Sequence, residues 1–177
     1  LNKIKTLENY KTLPNSLKRK IPQIASNQIF LRLKSEDILD IAIKSQEVET
    51  YFFEIINDDF LKLRIIRKIP LNLGYLLGKL QYLNMSSMNI FKLFDEKKIF
   101  EISFSKPALE EELYLIEEIV NASFDMTKQI NLKKPIILKN EIKIDFNHSE
   151  NLASMKINAK DQKGLFAYIA KVFDDYH

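Results

Sequence analysis

"LKLRIIRKIPLNLGYLLGKLQYLNMSSMNIFKLFDEKKIFEISFS", residues 61–105, changes its hydrophobic period from element to element. "LKLRIIRKI" at 61–69 is rich in branched residues and reads as a strand. Leu73, Leu76, Leu77, Leu80 and Leu83 then recur at helical spacing, and Asn84 ends that face. "MNIFKLF" and "IFEISFS" flank "DEKK", the signature of a hairpin with a four-residue loop. Beyond it, Ser105 and Pro107 open a helix whose Leu109, Leu113, Ile116 and Val120 fall at steps of four, three and four. Glu110, Glu111 and Glu112 sit in its first turn, where they favour the helix dipole. Residues 61–124 therefore read β-α-β-β-α, most of a ferredoxin-like βαββαβ unit. Upstream, "YFFEII" at 51–56 is strand-like and "NDD" turns, while Ser35, Glu36 and Asp37 start a helix ending near Lys44.

The second half restarts the pattern. "IKIDF" leads through "NHSEN" to a strand at 152–158, where Met155, Ile157 and Ala159 alternate with Lys156 and Asn158. In "AKDQKGLFAYIAKVF" (159–173), Leu165, Phe166, Ile169, Val172 and Phe173 return to helical spacing. The helix "IAKV" at 169–172 echoes "LGKL" at 77–80, an offset of 92 that also lays Met155 and Ile157 on Leu63 and Ile65 with their inward parity kept. Between strand and helix stands Gly164, one of three glycines, reading either as an ordinary βα turn or as a loop whose exposed amides hold a small polar ligand.

Composition narrows the classes. At 46% hydrophobic and 29% charged, the chain has the makings of a soluble globular core, with length for one domain or two small ones. No run nears the roughly 18 apolar residues of a membrane span, no secretory signal is visible, and there are no cysteines, all consistent with a cytoplasmic setting. The net charge of +3 hides an asymmetry: residues 1–34 carry eight basic residues against Glu8, a net +7, which leaves −4 for the rest. Pro14 and Pro22 bracket a basic segment there, and the arm is expected to dock little on the core and to face a preceding domain. A first residue other than Met suggests a piece of something longer.

"DQKGLFAYIAKVF" resembles the Asp-Arg-Pro-Gly entry of ACT domains, the small-ligand sensing modules of ferredoxin-like topology. "IDFNHSENLASMKINAKDQKGL" is similar to the stretch introducing the last ACT domain of bacterial PII uridylyltransferases, bifunctional enzymes that also remove the uridylyl group and report glutamine status. "NQIFLRLKSEDILDIA" at 27–42 looks like their segment between the catalytic HD domain and the first ACT domain. The resemblance implies an α+β chain with a basic helical arm or linker (1–50), a first ACT-like domain (51–130) and the start of a second, incomplete one (131–177). It implies a regulatory region for nitrogen status, with glutamine as the expected ligand and the preceding catalytic domains and PII signal protein as partners of the parent.

The chemistry of the parent is not written in these residues. A nucleotidyltransferase needs a Gly-Ser loop and paired aspartates for magnesium, and a uridylyl-removing site needs a histidine and aspartate cluster; neither is seen in this sequence, so no catalytic, metal or cofactor residue is assigned, and the resemblance implies magnesium only in the parent's catalytic domain. His148 falls in the polar "NHSEN" turn without a second ligand at metal spacing, and His177 is the last residue. Glu110, Glu111, Glu112, Glu117 and Glu118 form a solvated helix face. The ligand-binding candidates are Asp161, Gln162, Lys163, Gly164 and Leu165, plus Asn72, which the offset lays on Gly164. Asn tolerates a left-handed backbone, but the acid is missing from the first loop and Gln162-Lys163 replaces the family's Arg-Pro in the second, which favours the second as the binding loop. A structural ACT-like assembly module without ligand, with a possible homo-oligomer, is the alternative. An RNA-binding ferredoxin-like domain is the remoter one, since "IFEISFS" lacks the glycine and aromatic placement of the RNA-binding consensus. Finally, the five apolar residues of the last helix are expected to be covered by another surface, because leaving them in water forfeits about 1.5 to 3 kcal/mol each.

Overall fold

A computed structural model describes residues 1–24, 29–149 and 152–175, which fall into two compact units. The first comprises residues 1–71 with 83–118, the second residues 72–82 with 119–177.

In the first unit, α1 (Asn2–Thr6), α2 (Glu8–Lys11), α3 (Asn15–Ile24), α4 (Ile29–Arg32) and α5 (Ser35–Glu47) precede a sheet. Its strands are β1 (Tyr51–Asn57), β2 (Leu61–Arg67), β3 (Met85–Lys92) and β4 (Lys98–Phe104), in the order β1-β2-β4-β3 with every neighbour antiparallel. This is an α+β architecture compatible with a ferredoxin-like fold. β2 and β3 run parallel with β4 between them, and β1 holds the edge beside β2 that a βαββαβ unit gives to its last strand. Thus the strand-like stretch before the turn at 57–60 completes the sheet.

Two expectations change here. The "DEKK" hairpin is tighter than four residues: Leu93 N–H donates to Lys97 O at 2.8 Å, and Asp95 and Glu96 alone make the turn at φ of 55° and 61°. Left-handed pairs of this kind match the twist of the flanking strands. The basic arm, expected to stand off, is part of the core. Ile4, Leu17, Ile21 and Ile24 are buried in one apolar cluster with Ile38, Ile41, Ile66, Phe91, Phe94 and Ile99. The cause lies in α3, where Leu17, Ile21 and Ile24 repeat at steps of four and three and Pro22 is accommodated inside the helix rather than ending it. The charges stay at the surface: Lys20 pairs with Asp95 at 2.5 Å, and Lys18 Nζ donates to Lys11 O at 2.8 Å.

The second unit holds α6 (Leu73–Lys79), a 3₁₀ turn (Lys139–Glu141), the antiparallel hairpin β5 (Ile142–Ser149) and β6 (Leu152–Ile157), and α8 (Leu165–Asp175). α7 (Glu110–Ala122) runs from the first unit into the second. β5-β6-α8 repeats the chain order β1-β2-α6, each element starting 91 or 92 residues after its counterpart. His148 is a strand position in β5, not a turn, while His177 lies outside the described residues.

α8 packs on α6 with a different face from the one expected. Ala167 and Ala170 are buried, whereas Phe166, Val172 and Phe173 are 57%, 36% and 49% exposed and Leu165 and Ile169 are half-buried. Small residues decide this. A Cβ placed on Gly74 would lie 2.8 Å from Lys171 Cβ and 3.2 Å from its Cα, so the backbones approach as closely as glycine allows. Closeness is gained along the alanine stripe, and part of the bulky stripe is left outward. Among the described residues no helix is long and apolar enough to cross a membrane.

Candidate functional site

Gly164 adopts the left-handed conformation the turn requires, at φ +80°. Leu165 N–H donates to Gln162 O at 3.0 Å and Tyr168 N–H to Gly164 O at 2.9 Å, which closes the turn into α8. A Cβ on Gly164 would also meet Gln81 Oε1 at 2.9 Å, so the turn sits against the residues just after α6.

Gln162 is committed elsewhere. Its Oε1 accepts the Ile136 N–H and its Nε2 donates to Ile136 O, both at 2.8 Å, so one amide closes a two-bond ring with one residue of backbone. Asp161 and Lys163 are exposed. In the second loop, then, two charged side chains remain at the surface while the glutamine fastens a distant segment.

Asn72 is the N-cap of α6: its Oδ1 accepts the Tyr75 N–H at 3.0 Å. Its Nδ2 donates to Lys128 O and its own N–H to Ser123 O, each at 2.8 Å. Beside it opens a cavity of ≈ 460 Å³ lined by Asn72, Tyr75, Met126, Lys128, Gln129, Ile130 and Lys171. Its size, its two lysines and its mixed apolar and amide wall suit a small ligand bearing a carboxylate. Next in sequence to Met126 of that lining, the exposed Asp125 accepts from the Thr127 hydroxyl at 2.6 Å and the Thr127 N–H at 2.9 Å; these bonds, the hydroxyl's first, lower its pKa.

The two candidate loops are not brought together. Gly74 meets Lys171 while Gln81 meets Gly164, so α6 and α8 run antiparallel and the loops stand at opposite ends of the pair, about 13 Å apart along α6. Sequence reasoning missed Lys171, Lys128 and Gln129 as cavity residues. The offset aligned Lys171 with Lys79 but gave no reason for it to approach Asn72, and residues 123–138 carry no period to place them. Among the described residues, no cluster of three or more His, Cys, Asp or Glu side chains is arranged to hold a metal ion. Comparison with protein-family models, characterised proteins and solved structures finds no significant match to the chain.

Proposed function

We propose that this chain is the amino-acid-sensing regulatory region of a PII uridylyltransferase-like nucleotidyltransferase, with glutamine as its ligand and the chemistry performed by domains outside it. The observation that carries the reading is the repeat: β1-β2-α6 returns as β5-β6-α8, and the equivalent positions Asn72 and Gly164 each sit at the start of one of two helices packed together. The motif resemblance around "DQKGL" and the four-stranded antiparallel sheet support it. The cavity beside Asn72 supplies a volume at one of these loops, and its lysines suit the carboxylate of an α-amino acid.

The test is a thermal melt of the intact chain with millimolar L-glutamine, since a ligand that binds only the folded state raises its stability by mass action. A rise lost in Lys171→Met assigns the ligand to the cavity; a rise weakened by Asp161→Ala assigns it to the second loop. The structural reading is favoured by Gln162, whose amide is occupied by Ile136 rather than offered to a ligand. It predicts a melting curve that glutamine leaves unchanged.

A further inference from the structure

The coil between α7 and the 3₁₀ turn is fastened at three places, all within the second unit. At one end Ser123 O and Lys128 O accept from the backbone and side-chain N–H groups of Asn72, both at 2.8 Å. In the middle it crosses Gly78, where a Cβ would lie 2.5 Å from Ile130 Cδ1 and 2.9 Å from Leu132 Cδ2. At the other end Ile136 is held by both polar atoms of the Gln162 amide. Asn72 caps α6, Gly78 lies within it, and Gln162 stands two residues before Gly164, which lies against Gln81 just past the helix. The coil therefore follows α6 from its first residue to beyond its last. It also forms part of the cavity wall through Met126, Lys128, Gln129 and Ile130.

We propose that residues 123–138 are a strap that mechanically couples the two equivalent helix starts, so that what happens at Asn72 changes the hold on Gln162 and the reverse. Its contacts with Asn72, Gly78 and Gln162 follow the order of the chain along α6. Lys128, Gln129, Asn131, Lys133 and Lys134 are exposed, and no helix or strand intervenes between Ala122 and Lys139. Such a segment is free to slide or lift as one piece when a tie is lost, because no regular element absorbs the displacement. Occupation of the cavity would then be felt at the second loop by way of the strap. That last use rests on the sensing reading; the coupling itself does not.

Amide hydrogen exchange of the intact, unliganded chain tests it. Asn72→Ser keeps a capping oxygen for the Tyr75 N–H but removes the donor to Lys128 O. It should speed exchange of the remote Ile136 N–H by about tenfold, the equivalent of one hydrogen bond. Gln162→Met, the reciprocal change, should speed exchange of the remote Asn72 N–H, which donates to Ser123 O. If either substitution lowers global stability, Ile130→Val thins the middle contact with less disturbance and should speed exchange at both Lys128 and Ile136. Effects confined to within three residues of the altered tie overturn the proposal. So does a uniform rise over all of 72–82 and 119–175, which would mean that the strap has no line of its own. Since no ligand is used, these results are independent of whether glutamine binds.

Discussion

Arg64 stands in a cross-strand row: Glu54 on β1 is directly opposite it, and so is Glu101 on β4. Its guanidinium lies 2.9 Å and 3.0 Å from Glu101 Oε1, and 3.5 Å, 3.6 Å and 3.7 Å from Asp37, Asp40 and Glu54. Lys44 joins through Asp40 and Glu54. Arg64 and Glu101 side chains are each only 5% exposed, so removing one leaves a buried charge. Arg64→Met should cost about 3 to 5 kcal/mol by chemical denaturation, and adding Glu101→Leu should recover most of that. Lys97 makes a second buried charge, its ammonium donating to Ser45 O at 2.5 Å. Burial pushes its pKa below 10.5, aided by Lys20 and Lys68 and opposed by Asp95. In the window just below 10.5 the unfolded chain binds more protons than the folded one, so this residue makes stability rise with pH there. Burial is the largest single influence on Lys44 and lowers its pKa, but Asp40 and Glu54 together outweigh it and raise the pKa above 10.5, so its contribution is present below 10.5 and is lost only above it. Stability curves of the wild type and Lys97→Met across that window should differ in slope, the variant being flatter. The left-handed Gly164 was legible at this scale, because a lone glycine between a strand and a helix period has few other uses. The Arg64 row was not, because which strand residues face each other depends on a register that single-strand patterns leave open.

The glycines of α6 show how one element carries two different contacts. Gly74 faces the backbone of α8, whereas Gly78 faces the tips of Ile130 and Leu132. Alanine at either position gains about 0.5 to 1 kcal/mol of helix propensity, which the neighbour must then outweigh. At Gly74 the obstacle is Lys171 Cα and Cβ, which cannot rotate away, so Gly74→Ala should destabilise by about 1 to 3 kcal/mol. At Gly78 the obstacle is rotatable side-chain ends, and the cost should be smaller; equal melting temperatures for the two variants would contradict this. Elements with a strong period were legible: β2, α6, β4, α7 and α8 all lie where alternation or helical spacing placed them, with ends shifted by a few residues. The orientation of α8 was not. Its larger residues mark the more apolar stripe, yet Ala167 and Ala170 are the ones most deeply buried, since a close helix pair selects small residues and the Gly74 that Lys171 meets is 97 positions away in sequence.

At the scale of the whole molecule, the charge map and the packing map of the N-terminal arm disagree, and packing decides. A net +7 over residues 1–34 invites the picture of a solvated tether, but charge lists only what faces outward. Ile4, Leu17, Ile21 and Ile24 are each 0% or 1% exposed, in the same cluster as Ile66 and Ile99 of the sheet. Burial of such side chains is worth about 1.5 to 3 kcal/mol each, so these four contribute roughly 6 to 12 kcal/mol, the size of a whole domain's net stability. Their loss would also expose Ile38, Ile41, Phe91 and Phe94 to water, turning a core into an apolar patch. A chain shortened to residues 25–177 should therefore lose the cooperative melting of the first unit, bind a hydrophobic dye and aggregate. Retention of the full-length melting temperature within a few degrees would show that the arm only lies upon a core complete without it. The outcome separates two roles that charge alone cannot: a tether is dispensable to the fold it leaves, whereas a helical layer over a sheet face is part of that fold.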